Sequence, residues 1–384
     1  MEALRPPAVP LVTVDPYFSI WSFNDRLHEG VTRHWTKHNH GMFGMALIDG
    51  AAWRFMGGAD IRNDVEALAA PAMLQTSLVV LPLSTVYTFE AGGISLTVDF
   101  TTPLLLDDLD VLSRPASYVT FQVRSLDGHD HNVQIYYDVT AEVCVHSPQQ
   151  QVEWTGFKQP DGSQALKMGT RKQAVLQRKG DDVRIDWGYA YLVVPSSVPA
   201  QTTIRSEQLR RMVADSGAFD AELDTDMPRA AEENMPVMAA MLDLGRIGAE
   251  EQSGFLVLAY DDILSVEYFH TRLPAYWRRN GMTTGQMLAA AVSEYPSIMS
   301  RCQAVNQQVR QDALDSGGQK YADILSLAYR QAIAAHKLVQ DEAGNVVFFF
   351  SKENFSNGCM GTVDVSYPSI PLFFCCTTPS LSKG

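Results

Sequence analysis

The chain lacks any run of about 20 apolar residues of the kind that spans a bilayer, and its opening, MEALRPPAVPLVTVD, lacks the apolar core of a secretory signal. As written, the sequence reads as cytosolic or as having lost a leader. Cysteine is scarce. The five present (Cys144, Cys302, Cys359, Cys375, Cys376) are odd in number, scattered and without zinc spacing. Cys144 and Cys302 read as small buried apolar residues. Basic charge is also short, with 30 Lys and Arg against 44 Asp and Glu and a formal charge of −14. Nucleic acid and anionic membrane are poor partners for such a surface, because both require concentrated cations to replace counterions. A small polar substrate fits better.

Hydrophobic residues make up 46% of the 384 positions and charged residues 19%, as in an ordinary folded protein, with no internal repeat. A single core usually stops growing near 250 to 300 residues, so two domains are expected. Up to about Tyr260 the punctuation is that of β-structure. Ser77 to Leu83, Thr85 to Glu90, Ile94 to Thr101, Ser117 to Val123 and Val133 to Val139 are rich in β-branched and aromatic residues, and turns such as Ala91-Gly92-Gly93 and Asp127-Gly128 separate them. So many strands without an intervening helical period predict a large antiparallel β-sandwich over residues 1–260. Pro195 to Met235 is more polar and suits a short helix with edge strands.

Past Asp261-Asp262 the period changes. Met287, Ala290, Ala291, Glu294, Tyr295, Met299, Cys302 and Val305 keep helical spacing up to Ser316-Gly317-Gly318. A second stripe runs through Tyr321, Ile324, Leu325, Ala328, Ala332, Ala335 and Val339 before Gly344 and Asn345. Two long helices in series predict the start of an all-α domain over residues 261–384, with an extended apolar segment from Val346 to Phe350. Pro368 and Pro371 predict a further helix beginning no earlier than about Tyr367.

Two stretches concentrate polar chemistry. In FFSKENFSNGCMGTVDVSYPSIP, Phe349 to Pro371, the glycines of Asn357-Gly358 and Gly361 allow sharp turns that aim N–H groups at an anion, and Lys352 adds a positive charge. Glu353 and Asp364 are the candidate acid and base. At about 5 Å apart they would suit a retaining glycosidase, at about 6.5–9.5 Å an inverting one, and one activated carboxylate beside an oxyanion site could hydrolyse an amide. The competing reading is a Lys352–Glu353 ion pair with Asp364 as a helix cap. Lys352, Asn354, Asn357 and Tyr367 are the candidate substrate-binding residues here.

The other stretch, TRHWTKHNH from Thr32 to His40, adds His34 and Trp35 as candidates for packing against a sugar or a neighbouring domain. His34 and His38 would share one helical face, a zinc-type spacing, but no third ligand is evident, so no metal and no cofactor is expected. His129 and His131 read as a hairpin edge. The lone S-x-x-K, Ser380 to Lys383, carries no weight as a nucleophile.

The strings PLVTVDPYFSIWS, HWTKHNHGMFGMALIDG, WRFMGG, YDDILSVEYF, YRQAIAAHKLVQDEAGN and FSKENFSNGCMGTVDVSYPSIPLFF, in order from about Arg5 to Phe373, resemble the glutaminase A-like family of fungi and bacteria. The resemblance implies a β-sandwich followed by a helical toroid of the six-hairpin glycosidase type. It further implies hydrolysis of L-glutamine to glutamate and ammonia, and a secreted or periplasmic protein. A glycoside hydrolase relative, or a non-catalytic carbohydrate- or partner-binding module, is the alternative.

Family proteins continue for hundreds of residues and begin with a leader, so this chain is expected to hold an incomplete toroid and to show little or no turnover. Where the family tends to Leu-Leu-Tyr-Asn-Pro, the chain reads Cys375-Cys376-Thr377-Thr378-Pro379 after Phe374, the outcome of reading such a coding string one base late. A local frame error is therefore expected there.

Overall fold

The structure is a computed structural model that describes residues 5–61, 66–341, 343–344, 346–353, 355 and 359–376. Among them, two antiparallel sheets of nine and five strands face each other. The larger runs in the order 229–230, 151–158, 164–170, 189–194, 252–261, 116–125, 94–101, 84–91, 74–80, and the smaller in the order 200–206, 236–247, 131–140, 42–48, 51–56.

Alternation explains the layering. In the strand Ile94–Thr101, Ile94, Leu96, Val98 and Phe100 enter the core between the sheets, and Asp99 and Thr101 point the other way. Phe55, Phe121 and Tyr137 meet edge-on in that core, with ring centroids 6.1 and 6.0 Å apart. The other face of the nine-stranded sheet is also covered. There Tyr118, Tyr191, Val193 and Val257 pack against Met287, Ala291, Ile298, Cys302, Tyr329 and Ile333 of the helices. Cys144 and Cys302 are both buried, and burial pushes each thiol up to about 12.

Two short helices, α1 (Leu109–Ser113) and α2 (Leu209–Ser216), decorate the sandwich. A hairpin of Val266–Tyr268 and Thr271–Leu273 follows the last long strand. Helix α3 (Thr284–Ser293) then starts on a capping box, Thr283 Oγ1 accepting from the Gln286 amide and the Gln286 side chain accepting from Thr283 N–H. Helix α4 (Tyr295–Ala334) is two helices joined at Gly318, whose φ of 73° suits glycine.

Two expectations fail here. The second helical stripe does not continue to Val339. Helix α4 ends at Ala334, and His336–Gln340 is a strand paired with Val347–Ser351. The pairing supplies the backbone hydrogen bonds, and the period of two sends Leu338 towards the helices and Val339 towards Val266 and Leu273. Helix α5 (Val363–Cys376) begins before both prolines rather than after them, with Pro368 and Pro371 inside it. The carbonyls those rings leave without an amide belong to Asp364 and Tyr367, which lie on the exposed face where water can reach them. Among the described residues, no helix is long and apolar enough to cross a membrane.

Candidate functional site

The helical part is pinned to the sandwich by buried charge. Lys337 Nζ lies 2.5 Å from Asp15 Oδ2 and 2.9 Å from Asp262 Oδ2, all three groups buried. Asp15 Oδ1 also accepts the Tyr17 and Phe18 amides at 2.9 and 3.0 Å. The two carboxylates hold the Lys337 ammonium above its ordinary pKa against the pull of burial, and burial raises Asp262 despite that cation. This clamp sets the hairpin of residues 336–351, and so fixes where the polar segment after Ser351 meets the β-structure.

That meeting is direct. Lys352 is 7% exposed, its N–H donates to Ala335 O at 2.9 Å, and its ammonium sits 5.5 Å from the Tyr17 ring centroid. Burial lowers its pKa. Glu353 is half-buried and accepts the Phe355 amide at 2.8 Å. Phe355 O accepts from Asp182 N–H at 3.2 Å, and the Lys37 ammonium stands 5.4 Å from the Phe355 ring. The two polar stretches, some 320 residues apart in the chain, thus share one junction.

At this junction Arg33, Lys37 to Asn39, residues of the segment 142–148, Arg184 and Glu232 border a hollow of about 820 Å3, within the size of small-molecule sites. Arg33, Lys37 and Arg184 bring positive charge to it, and Glu142 and Glu232 negative charge. His38 Nε2 is 2.8 Å from Asp182 Oδ2, and Asp182 Oδ1 is 3.0 Å from Arg184. His146 also lines the hollow. Burial first, then Arg184 and Arg178, lower it to about 4, so it is a neutral imidazole at neutral pH.

The candidates from sequence fall in three groups. Lys352 and Glu353 are near the junction, as is Trp35, half-buried beside His34 at 6.2 Å between ring centroids, but none of the three lines the hollow. His34 is buried inside the β-structure rather than open to a substrate. Thr36 N–H donates to its Nδ1, so Nε2 carries the proton and donates to Pro16 O at 2.9 Å, and burial lowers its pKa to about 3. His34 and His38 do not share a helical face. His34 ends a two-residue strand, and a turn with Lys37 at φ 70° sends His38 outward.

Asp364 and Tyr367 stand on the exposed face of α5 and are not among the residues lining the hollow. Asp364 lies in the first turn of that helix, which Ser351 Oγ and Ser366 Oγ tie to the hairpin at 2.7 Å. Asn354 and Asn357 lie outside the described residues, as does the Thr377–Pro379 tail. Among the described residues, no group of three or more His, Cys, Asp or Glu side chains is placed to hold a metal ion. Sequence reasoning missed Arg33, Asp182, Arg184 and His146. Asp182 and Arg184 sit in the run KGDDVRIDW, where no spacing distinguishes them from surface charge.

Three family models match the chain in succession: DUF4964, a domain of unknown function, over residues 1–69; DUF5127, another, over 83–312; and the glutaminase A six helical-hairpin domain over 318–384. Glutaminase A of Aspergillus oryzae is 28% identical over 394 aligned residues, covering 99% of this chain and 55% of that protein. A probable glutaminase of Arthroderma benhamiae is 25% identical, covering 98% and 46%. The chain therefore spans about half the length of these curated relatives.

Among solved structures, a putative kojibiose phosphorylase from the human microbiome overlaps at a TM-score of 0.41 with 11% identity, over 85% of this chain and 39% of that one. A bacterial glucoamylase complexed with acarbose overlaps at 0.39 with 10% identity, over 88% and 43%. With the DUF5127 match alone spanning residues 83–312 and the two flanking matches on either side of it, the chain belongs to the glutaminase A-like family.

Proposed function

We propose that this chain supplies the substrate-binding wall of an amidohydrolase that converts L-glutamine to glutamate and ammonia. The observation that carries the reading is the mixed charge of the hollow at the junction. A free amino acid is a zwitterion, and Arg33 and Lys37 complement its carboxylate as Glu232 complements its ammonium. The name of the Aspergillus oryzae relative, glutaminase A, supports the same substrate.

In this reading His38 is the general base. Asp182 holds its Nε2–H, leaving Nδ1 to take a proton from water as that water attacks the side-chain amide carbon. The carbon–nitrogen bond breaks when the departing nitrogen receives that proton, so that ammonia leaves and glutamate remains. Lys352 and Glu353 do not line the hollow and would act on the substrate only through Phe355, whose N–H Glu353 accepts and whose carbonyl accepts from Asp182 N–H. Asp364, exposed on α5, would face whatever packs on that helix. Secretion of the whole protein belongs to the same proposal and is checked by its presence in the culture medium.

Two measurements test the reading. Ammonia release from L-glutamine is set beside nitrophenol release from aryl glycosides for the Aspergillus oryzae protein. Ammonia alone supports the proposal, and nitrophenol alone contradicts it. In this chain, ammonia release at whatever basal rate it shows should fall by roughly 100-fold or more in His38→Asn, the usual weight of a general base. An unchanged rate removes His38 from the mechanism.

A further inference from the structure

A second hollow, of about 480 Å3, lies between the nine-stranded sheet and the first half of α4, and it shares no residue with the junction. Its floor is the outward face of three neighbouring strands, where Ser84, Asp99, Thr101, Thr120 and Gln122 interrupt the apolar packing made nearby by Tyr118 and Val257. Its wall is α4. Gln303, Gln307 and Arg310 follow one another at helical spacing, so a single face presents three long polar side chains to the floor.

The floor is ordered in one direction. Asn306 Oδ1 accepts Leu83 N–H at 2.7 Å, and Asn306 Nδ2 donates to Ser84 Oγ at 3.1 Å. Ser84 lies 2.7 Å from Thr101 Oγ1, which donates to Asp99 Oδ1 at 2.8 Å. Thr101 has one proton and gives it to the carboxylate, so Ser84 must donate to Thr101. The chain of donors ends on Asp99, fixing one carboxylate oxygen and leaving Oδ2 with no hydrogen-bond partner among the described residues. The Gln122, Gln303 and Gln307 amides are likewise unengaged among the described residues. Tyr295, hydrogen-bonded to Thr120 at 2.7 Å and stacked on Phe255 at 3.6 Å between centroids, makes the end of the hollow rigid.

We propose that this hollow between the sheet and α4 binds a neutral polyhydroxylated ligand, a mono- or disaccharide. Carboxamides both donate and accept, as sugar hydroxyls do, and Asp99 Oδ2 is an acceptor for one of them. The charge balance disfavours an anionic or zwitterionic ligand, because Arg310 is already 3.3 Å from Asp323. The volume falls within the roughly 300–1,000 Å3 of small-molecule sites.

Isothermal titration of the 384-residue chain with D-glucose, D-galactose and maltose tests the proposal. At least one should bind saturably, at about millimolar Kd. The double variant Gln303→Ala, Gln307→Ala changes two exposed helical positions to the best helix former, so it should melt as the parent does while losing at least about tenfold in affinity. Asp99→Asn should lose a similar factor. Failure of all three sugars to bind, or undiminished binding by the double variant, overturns the proposal, as does L-glutamine competing for the same site. Arg33→Gln, Lys37→Gln alters the other hollow only and should leave sugar affinity unchanged, so the failure of either reading is separable from the other.

Discussion

The sandwich core and the seam between it and the helical part both bury apolar side chains, but only the seam is also crossed by buried charge. Within the sandwich, long antiparallel ladders close over a core of aliphatic and aromatic side chains such as Ile135, Phe121 and Tyr137, each at 0% exposure. Between the two parts, an apolar layer that includes Tyr118, Val257, Met287 and Ile333 is crossed by buried polar groups. Lys337 sits between Asp15 and Asp262, and Arg330 donates to Thr85 Oγ1 at 2.6 Å. Tyr329 and Tyr118 hydroxyls donate to the Leu104 and Ala291 carbonyls, each at 2.9 Å. Apolar burial is non-directional and tolerates small shifts, whereas a buried polar group left unmatched is costly. The difference means that apolar burial sets stability in both places, and the pins set how the hairpin of residues 336–351, and with it the candidate site, is oriented.

The sharpest way to break this contrast is Lys337→Ala. It leaves two carboxylates buried without their cation, which costs about 3–5 kcal/mol in comparable cases. Hydrogen exchange should show protection lost in α3, α4 and the 336–351 hairpin while strands such as Ala116–Ser125 remain protected. Uniform loss across both parts would show that the pins are no more than contributors to one common core. Ile135→Val acts on the other side of the comparison. It should cost about 0.5–1.5 kcal/mol globally, seen as a lower denaturant midpoint with no selective opening of the helices.

The smallest effect is a pH dependence at the far end of the sandwich. His131 lies 2.7 Å from Asp49 and 3.1 Å from Asp127. Hydrogen bonds to those carboxylates raise the His131 pKa; the His131 bond and then the Asn132 N–H lower Asp49, and the His129 N–H and then the His131 bond lower Asp127 to about 2. The raised histidine contributes stability that is complete below the unfolded value of about 6.5 and is lost as pH rises through its folded value. The lowered aspartates contribute stability present above the unfolded value of about 4 and lost as pH falls through theirs. Thermal melts of the parent should therefore gain slightly on His131→Gln between those limits, and the difference should shrink at pH 8. A variant whose deficit grows with pH would contradict the clamp.

Much of the fold was legible because its strands alternate cleanly. Ile94, Leu96, Val98 and Phe100 announce one buried face, and the first helical stripe through Met287, Ala291 and Cys302 is equally plain. The apolar residues of Ala335–Val339 fit a helical stripe as well as a strand, so spacing alone does not choose between them. The choice depends on the partner strand Val347–Ser351 and on Lys337 reaching two distant aspartates, neither of which local spacing records. Of the site, both polar stretches stood out in sequence, and their contact through Lys37 and Phe355 did not. Nor could composition tell which imidazole of His34 and His38 turns outward, since that rests on one turn residue at positive φ. Arg184 and Asp182 enter from an irregular loop whose position is a product of the tertiary structure alone.

The central claim, that the junction hollow receives a small zwitterion, is tested most directly by titrating L-glutamine into the 384-residue chain and into Arg33→Gln, Lys37→Gln. The account predicts saturable binding by the parent and a loss of at least about tenfold in the double variant, the weight of one or two charge-assisted hydrogen bonds. No saturable binding, or equal binding by both proteins, would contradict it.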